Sequence, residues 1–322
     1  MLIVNYGGGV DSTAILIRFA KEGIIPDRII FADVGEAEKP ETYAYVAMFS
    51  KWLEARGMPA ITLVERYGVG LADKPIVRKQ ATTTYNTLEG ACRQNATMPS
   101  LAFGFQMHSC SINWKAAAIH GFLKQDPMFK AAQADWTEVR HVIGYDAGKA
   151  DCSRRDKADA KSYSCLEHNC KRWYPLQDWG WERTDCVKAI AEVGLPVPVK
   201  SACFFCPASR PWEVAWLISE HPGLFRRAVT MEDRFRNGKH GPDAQIAKGK
   251  KGEAVGLWFD RSWRGWAKEM GFLTETNAVN EQGEPQYVLD RDAAKAYAQQ
   301  EMPAETAGTD QLVQLSVGRL TA

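Results

Sequence analysis

Three groups of side chains in this sequence have types and spacings that could do chemistry. The first is Gly7-Gly8-Gly9-Val10-Asp11-Ser12-Thr13, two residues after the apolar run Leu2-Ile3-Val4 and directly before the apolar AILIRFA. Glycines let the backbone turn and aim successive N–H groups at one point, and Asp11, Ser12 and Thr13 are residues that open helices. A strand, a glycine nest and a helix N-terminus together make an anion site, a tight turn without a ligand being the plainer alternative. A Walker loop is excluded, because Val10 and Asp11 stand where Lys and Ser or Thr are required. A dinucleotide fingerprint can be read through Gly7 and Gly9 with Asp33 as the ribose ligand. Its third glycine is Ser12, however, and Asp11 would bring negative charge toward the pyrophosphate.

The second group is Cys203-Phe-Phe-Cys206-Pro207. Two thiolates at this spacing bind one metal or cluster face, or form a redox dithiol. A dithiol of the thioredoxin sort is expected early and at a helix start, whereas this one comes late and is closed by a proline, which favours metal ligation. Cys110, among Ser109 and Ser111 at the predicted opening of a helix, sits where a thiolate is favoured. The third group, Cys165, His168 and Cys170 in a charged insertion that also holds Cys152, could seat zinc, though its spacing is less specific. Cys92 and Cys186 read as core thiols.

The elements that must position these groups follow from periodicity. Leu2–Val4, RIIFAD, AITLVER and EVRHVIG read as short buried strands, the last ending at Gly144. Between the second and third, Tyr45, Met48, Phe49, Trp52 and Leu53 mark one face of a helix ending near Gly57. Strand and helix alternating at this spacing predict a parallel sheet with right-handed crossovers and any ligand off the strand carboxyl ends, where Gly7–Ser12 and Asp33 both fall. Asp33 could equally cap the turn after its strand. Tyr67 to Met107 reads as a long irregular segment, either a lid or substrate loop or a solvated insertion. A helix is predicted from Thr184 to Gly194. From Arg210 the chain turns helical, aromatic and basic: Trp212, Trp216, Trp258, Trp263 and Trp266 lie among Arg226, Arg227, Arg234, Arg236, Lys239, Lys248, Lys250 and Lys251. That pattern could stack on bases, or be core. The predicted organisation is residues 1–200 as the α/β domain, 201–275 as a helical Cys-x-x-Cys region and 276–322 as a loosely attached polar tail.

Formal charge is +1, from 40 Lys and Arg against 39 Asp and Glu, so no overall field recruits nucleic acid or anionic lipid. No apolar run approaches a membrane span and no secretory signal opens the chain, so a cytoplasmic location is expected, in which the 8 cysteines are thiols or ligands rather than disulfides.

Gly7-Gly8-Gly9-Val10-Asp11-Ser12 resembles the S-G-G-x-D-S loop of the PP-loop (N-type) ATP pyrophosphatases in every position but the first. FADVGEAEKPETYAYV is similar to the FADTGxExPETYxYV run of the sulfonucleotide (PAPS) reductases and their relatives in that group, and P-L-x-D-W near Trp179 adds to the likeness. The resemblance implies a three-layer, doubly wound α/β fold of the adenine nucleotide alpha hydrolase kind with a helical C-terminal extension. It implies ATP with Mg2+, contacted by Gly7, Gly8, Gly9, Val10, Asp11, Ser12, Thr13, Asp33 and Gly144, with Asp11, Ser12 and Lys115 catalytic. Cys110 with Lys115 downstream, followed by Cys203 and Cys206, matches the ligand pattern of a [4Fe–4S] cluster, zinc being the alternative. Asp146 and Arg154 fall in the substrate loop, where the family's Glu-Ser pair is missing. Three thiolates leave one iron open, which favours adenylylation followed by sulfur transfer, as in the DNA-phosphorothioation branch, with a tRNA or DNA acceptor and a sulfur-donor protein as implied partners. A sulfonucleotide reductase and a non-catalytic binding module are the rival readings.

Overall fold

The computed structural model describes residues 1–66, 68–74, 76–78, 87–99, 110–160, 169–239, 241–246, 255–258, 260–279 and 285–302. At its centre β1 (Leu2–Tyr6) is flanked by β2 (Arg28–Ala32), which pairs in turn with β3 (Ile61–Glu65), all parallel. Beyond β3 the chain adds two antiparallel strands, β4 (Gly68–Leu71) and β5 (Val77–Arg78). These lie in the segment read as irregular. Gly68 and Gly70 are poor strand formers, and only the open edge of β3 makes a ladder there.

Alternation along β1 and β2 builds a core on each face. Val4, Tyr6, Ile29 and Phe31 meet α1 (Val10–Glu22) and α2 (Pro40–Glu54), while Ile3, Ile30 and Ala32 point to the opposite side. The predicted stripe of α2 is seen in part: Tyr45, Phe49 and Leu53 are buried, and Met48 and Trp52 pack at its margin. After α3 (Leu88–Asn95), a π-helical turn over Ser111–Ala116 runs into α4 (Ala117–Leu123), which with α5 (Pro127–Ala134) covers the second face. The chain then returns to the middle of the sheet: β6 (Val139–Ile143) pairs with the free side of β1, and β7 (Cys170–Trp173) adds outside it after α6 (Lys149–Ala160).

The sheet order is β5-β4-β3-β2-β1-β6-β7. The chain therefore runs outward from β1 in one direction, comes back and runs outward in the other, so the topological switch point lies between β1 and β6. Helices on both faces of a mostly parallel sheet give a layered, Rossmann-like α/β fold, as the strand pattern predicts. A short α7 (Pro175–Asp178) leads to α8 (Arg183–Glu192), which packs along α1 and opens one residue before the predicted start with a capping box between Glu182 and Asp185.

The C-terminal helices form a second core against the sheet domain. α9 (Pro211–Glu220) and α10 (Pro222–Arg236) bury Val214, Ile218, Phe225 and Val229. After α11 (Pro242–Ile246), α12 (Trp263–Glu269) adds Trp263 and Trp266 to that core. Glu232 of α10, wholly buried, accepts the N–H groups of Leu257 at 2.7 Å, Trp263 at 2.9 Å and Arg264 at 3.1 Å and so fixes the connection into α12. Of the segment 276–322 predicted as a loose tail, residues 276–279 and 285–302 are structured, while 280–284 and 303–322 lie outside the described residues. β8 (Leu273–Val279) and β9 (Pro285–Leu289) form a hairpin, and α13 (Arg291–Glu301) lies on α9 through Ala294 and Ala298, whose small side chains permit close approach. Among the described residues no helix is long and apolar enough to cross a membrane.

Candidate active site

The glycine loop leaves the carboxyl end of β1 at the switch point. Gly8 has φ +72°, and a Cβ there would stand 2.9 Å from Phe31 Cε2 and 3.3 Å from Thr42 Cγ2, so the turn needs glycine on both conformational and steric grounds. The loop is tied to the helix it starts. Gly7 N–H donates to Ser12 Oγ at 3.1 Å, Ser12 Oγ donates to the Gly9 carbonyl at 3.3 Å, and Thr13 Oγ1 donates to the same carbonyl at 2.8 Å. The sequence suggests Asp11, Ser12 and Thr13 as helix openers, but Gly9 is the N-cap and these residues form the first turn. The side chains of Ser12 and Thr13 therefore brace the loop from inside the helix. Val10, Asp11 and Ser12 are the first-turn positions whose amides have no intrahelical acceptor. Gly144, just past β6, lies against this turn: a Cβ there would sit 3.0 Å from the Ser12 nitrogen and cover that donor.

These amides open into a cleft of about 940 Å3, whose wall includes Gly7, Gly9, Asp11, Ser12, Gly144 and Lys115. Arg154, Arg183, Lys200 and Arg210 add cationic groups from three later segments. A site of this volume holds a nucleotide-sized ligand. Arg183 Nη1 donates to both Asp11 carboxylate oxygens, at 3.0 and 3.1 Å. Burial raises the Asp11 carboxyl above its usual range against the pull of Arg183, and Asp146 and Asp151 push the same way as burial. The carboxylates of Asp11, Asp146 and Asp151 lie within 4.8 Å of one another, oxygen donors of the kind Mg2+ takes. Arg154 donates to Asp151 at 2.7 Å and lies 4.7 Å from the Tyr145 ring centroid, beside the same acids. His141, on the cleft wall, is held down at about 4, chiefly by burial and then by Arg172 and His120, and so is a neutral imidazole at neutral pH.

Asp33 is buried at the end of β2 and accepts from Gly35 N–H at 3.2 Å, Glu36 N–H at 3.4 Å and Tyr43 OH at 2.9 Å. Its carboxylate thus serves the turn after its strand, the capping role open to it from sequence. Lys115, on the π-helical turn, donates at 3.1 Å to Glu38, a carboxylate 1 % exposed that also accepts from Ser201 at 3.2 Å. Burial works against the Lys115 charge, but Glu38 and then Cys203 outweigh it and hold the ammonium above the ordinary lysine range.

The thiols of Cys110, Cys203 and Cys206 share the surroundings of Lys115. Burial raises all three; Lys115 lowers all three, and amides of Ser111 and Ala208 bond the sulfurs of Cys110 and Cys206. The Cys-x-x-Cys segment is a turn in which Cys206 N–H donates to the Cys203 carbonyl at 2.9 Å. Among the described residues these sulfurs are not gathered within 4.8 Å of one another. Two thiolates on one tetrahedral zinc at ~2.3 Å lie roughly 3.8 Å apart, whereas a cluster takes one thiolate per iron and accommodates wider spacing.

Of the second cysteine group, Cys165 and His168 lie outside the described residues, as does Ser109. Cys170 stands at the start of β7 on the cleft wall, where Gln133 Nε2 donates to its sulfur at 3.7 Å. Cys92 and Cys186 are buried core thiols. The aromatic and basic C-terminal pattern is largely internal: Trp263 and Trp266 are core, Arg227 pairs with Glu89 at 2.5 Å, Arg226 donates to the Tyr287 carbonyl, and Arg264 bonds Asp233. Lys248, Lys250 and Lys251 lie outside the described residues. Sequence reasoning missed Arg183 and Glu38. Arg183 is 172 positions from the Asp11 it contacts, and no local pattern marks it; Glu38 could have been noticed as an acid in an otherwise buried strand-to-helix connection.

No family model, curated protein or solved structure matches this chain. Its class rests on architecture and site geometry: a layered α/β protein with a glycine-lined cleft at the sheet's switch point.

Proposed function

We propose that this chain is an adenine-nucleotide enzyme of the PP-loop type that adenylylates an oxygen of its acceptor, as the activating half of a sulfur transfer. The observation that carries this reading is the cleft itself: a braced glycine loop and helix N-terminus facing Lys115, Arg154, Arg183, Lys200 and Arg210. Amides and cations converging on one crevice suit a polyphosphate and the charge that builds on its departing half. Arg183 would exchange Asp11 for phosphate oxygens, freeing Asp11, Asp146 and Asp151 to hold Mg2+, which would neutralise phosphate charge. The acceptor oxygen attacks the α-phosphorus, the bond to the β-phosphate oxygen breaks, and pyrophosphate leaves. A sulfur nucleophile then attacks the activated centre and AMP departs with the original oxygen. A [4Fe–4S] cluster on Cys110, Cys203 and Cys206 would supply a soft site for that sulfur. Lys115, between Glu38 and Cys203, would present its positive charge to the leaving group.

The sulfonucleotide reductase reading is weaker, because Ser109 and Ser111 flank Cys110 where the assimilatory reductases place a second, adjacent cluster cysteine. Gly7 in place of serine favours a binding module. Anaerobically purified protein incubated with α-labelled ATP and total tRNA or DNA separates the three. Labelled AMP supports activation, bound but intact ATP supports the module, and sulfite from adenylyl sulfate supports the reductase. Iron and zinc analysis of the same sample tests the thiol assignment, and a Cys203→Ser protein retaining all its metal would remove it.

A further inference from the structure

The cleft extends past the glycine loop. Asn5 and His141 line it from the second face of the sheet, the face that also carries Ile3 and Val139, and Ile119, Leu123 and Phe129 line it from α4 and α5. Asn5 stands on β1 two residues before Gly7, and His141 stands on β6 three residues before Gly144; the strands pair with Ile3 opposite His141 and Asn5 opposite Ile143. At ~3.3 Å per strand residue, the two side chains leave the sheet roughly 7–10 Å from the loop and Gly144. A base and its sugar bridge a gap of that size.

The amide of Asn5 has one orientation. Its Nδ2 donates to the Val142 carbonyl at 3.3 Å, and turning the amide over would set two acceptors against each other. The same nitrogen lies 3.4 Å from His141 Nδ1. An amide nitrogen only donates, so Nδ1 accepts. Burial, Arg172 and His120 keep the ring neutral, and a neutral imidazole that accepts at Nδ1 carries its proton on Nε2. Both Asn5 N–H groups are thus used within the protein, while Asn5 Oδ1 and His141 Nε2–H have no partner among the described residues and are open to the cleft. Arg172, which faces His141 from β7, is itself engaged by the Ala158 carbonyl at 3.2 Å and Asp159 at 3.1 Å.

One acceptor and one donor therefore stand side by side among carbon walls. That set suits a neutral ring with a donor and an acceptor on adjacent atoms of its edge. A phosphodiester has no donor to offer. The amide edges of uracil and guanine have both groups, as does the edge of adenine formed by its amino group and ring nitrogen. Resting on the reading of this cleft as a nucleotide site, we propose that Asn5 and His141 form a base-reading pair, with Asn5 Oδ1 accepting from and His141 Nε2–H donating to the edge of a nucleobase. The base of the bound nucleotide and the base of an acceptor share this chemistry.

The test is isothermal titration of the full chain, with Mg2+ and inorganic tripolyphosphate present to fill the loop. The titrants are adenosine, uridine and guanosine, and purine riboside, 3-methyluridine and 1-methylguanosine, which lack the donor at that edge. The expected result is saturable binding of at least one parent nucleoside and at least tenfold weaker binding of its analogue. In Asn5→Leu, which keeps the bulk and removes the acceptor, that discrimination falls below threefold. Adenosine assigns the pair to the nucleotide's own base, and uridine or guanosine assigns it to the acceptor's. No saturable binding of any parent, or equal binding of parents and analogues, overturns the proposal; if Asn5→Leu fails to fold, the analogue pairs decide alone. None of these readouts requires ATP turnover, so a protein that discriminates bases and releases no AMP refutes the adenylylation reading and not this one.

Discussion

Alanine at Gly8 and alanine at Gly9 should have different consequences, although the residues are neighbours in one loop. Gly8 has φ +72° and a Cβ there would meet Phe31 at 2.9 Å. Left-handed backbone costs an L-residue about 1–2 kcal/mol, and forcing a methyl into a packed core costs about 1–3 kcal/mol more. Gly8→Ala therefore loses about 2–5 kcal/mol; with an unfolding entropy of ~2.1 cal/mol/K for each of 322 residues, its Tm falls by about 3–7 °C. Gly9 is extended, at φ −104° and ψ 178°, and a Cβ there meets nothing within 4 Å. Gly9→Ala gains about 0.4–1 kcal/mol through the narrowed unfolded chain and loses a similar amount because Ala is a poorer N-cap than Gly, so its melting should stay close to the wild type. The same methyl projects at the cleft wall, where a phosphate would rest on the loop, so ATP affinity should fall at least tenfold, about 1.4 kcal/mol. Scanning calorimetry and isothermal titration with Mg-ATP read the two effects separately. A Gly9→Ala protein that melts close to the wild type and binds ATP undiminished would refute the phosphate cradle. Equal melting losses in both variants would refute the steric account of Gly8.

Lys115→Met leaves Glu38 buried without its cation and should cost about 2 kcal/mol, the low side for a broken buried pair because Lys115 keeps part of its side chain in water; adding Glu38→Gln should restore much of this in denaturant titrations. Burial raises Glu232 from 4.5 to about 7 in spite of its three N–H donors. Its folded pKa exceeds its unfolded one, so its contribution to stability is full below about pH 4.5 and is lost as pH rises through about 7. The stability difference between wild type and Glu232→Gln should fall across that window, and a difference that rises or stays flat would contradict the assignment. Ala298→Leu overpacks the α9–α13 contact by about 1–3 kcal/mol and should expose α13 to limited proteolysis while leaving ATP binding intact.

Much of the α/β frame was legible before any coordinates. Buried parallel strands are short apolar runs, and β1, β2, β3 and β6 announce themselves because both faces of each must be covered. The face of α2 and the extent of α8 were readable for the same reason, since a helix on a sheet carries its contact in its period. β4 and β5 were not, because glycine-rich strands exist only where a neighbouring edge pairs them. Nor was α13, a helix with a polar sequence whose two buried alanines look like surface residues until α9 is placed against them.

The chain by itself determined that glycines 7–9 end a strand and start a helix, and that Cys203 and Cys206 share one turn, because both facts are set by bonds a few residues long. Which residues face the loop was decided by the return of β6 to the middle of the sheet, which sets Gly144 on Ser12 and opens the switch point. The long crossovers bring Arg183 to Asp11 and Lys115 to Glu38 and the thiols. Such partners leave no trace in local sequence, since a contact across the sheet needs only complementary charge and size at positions that folding makes adjacent.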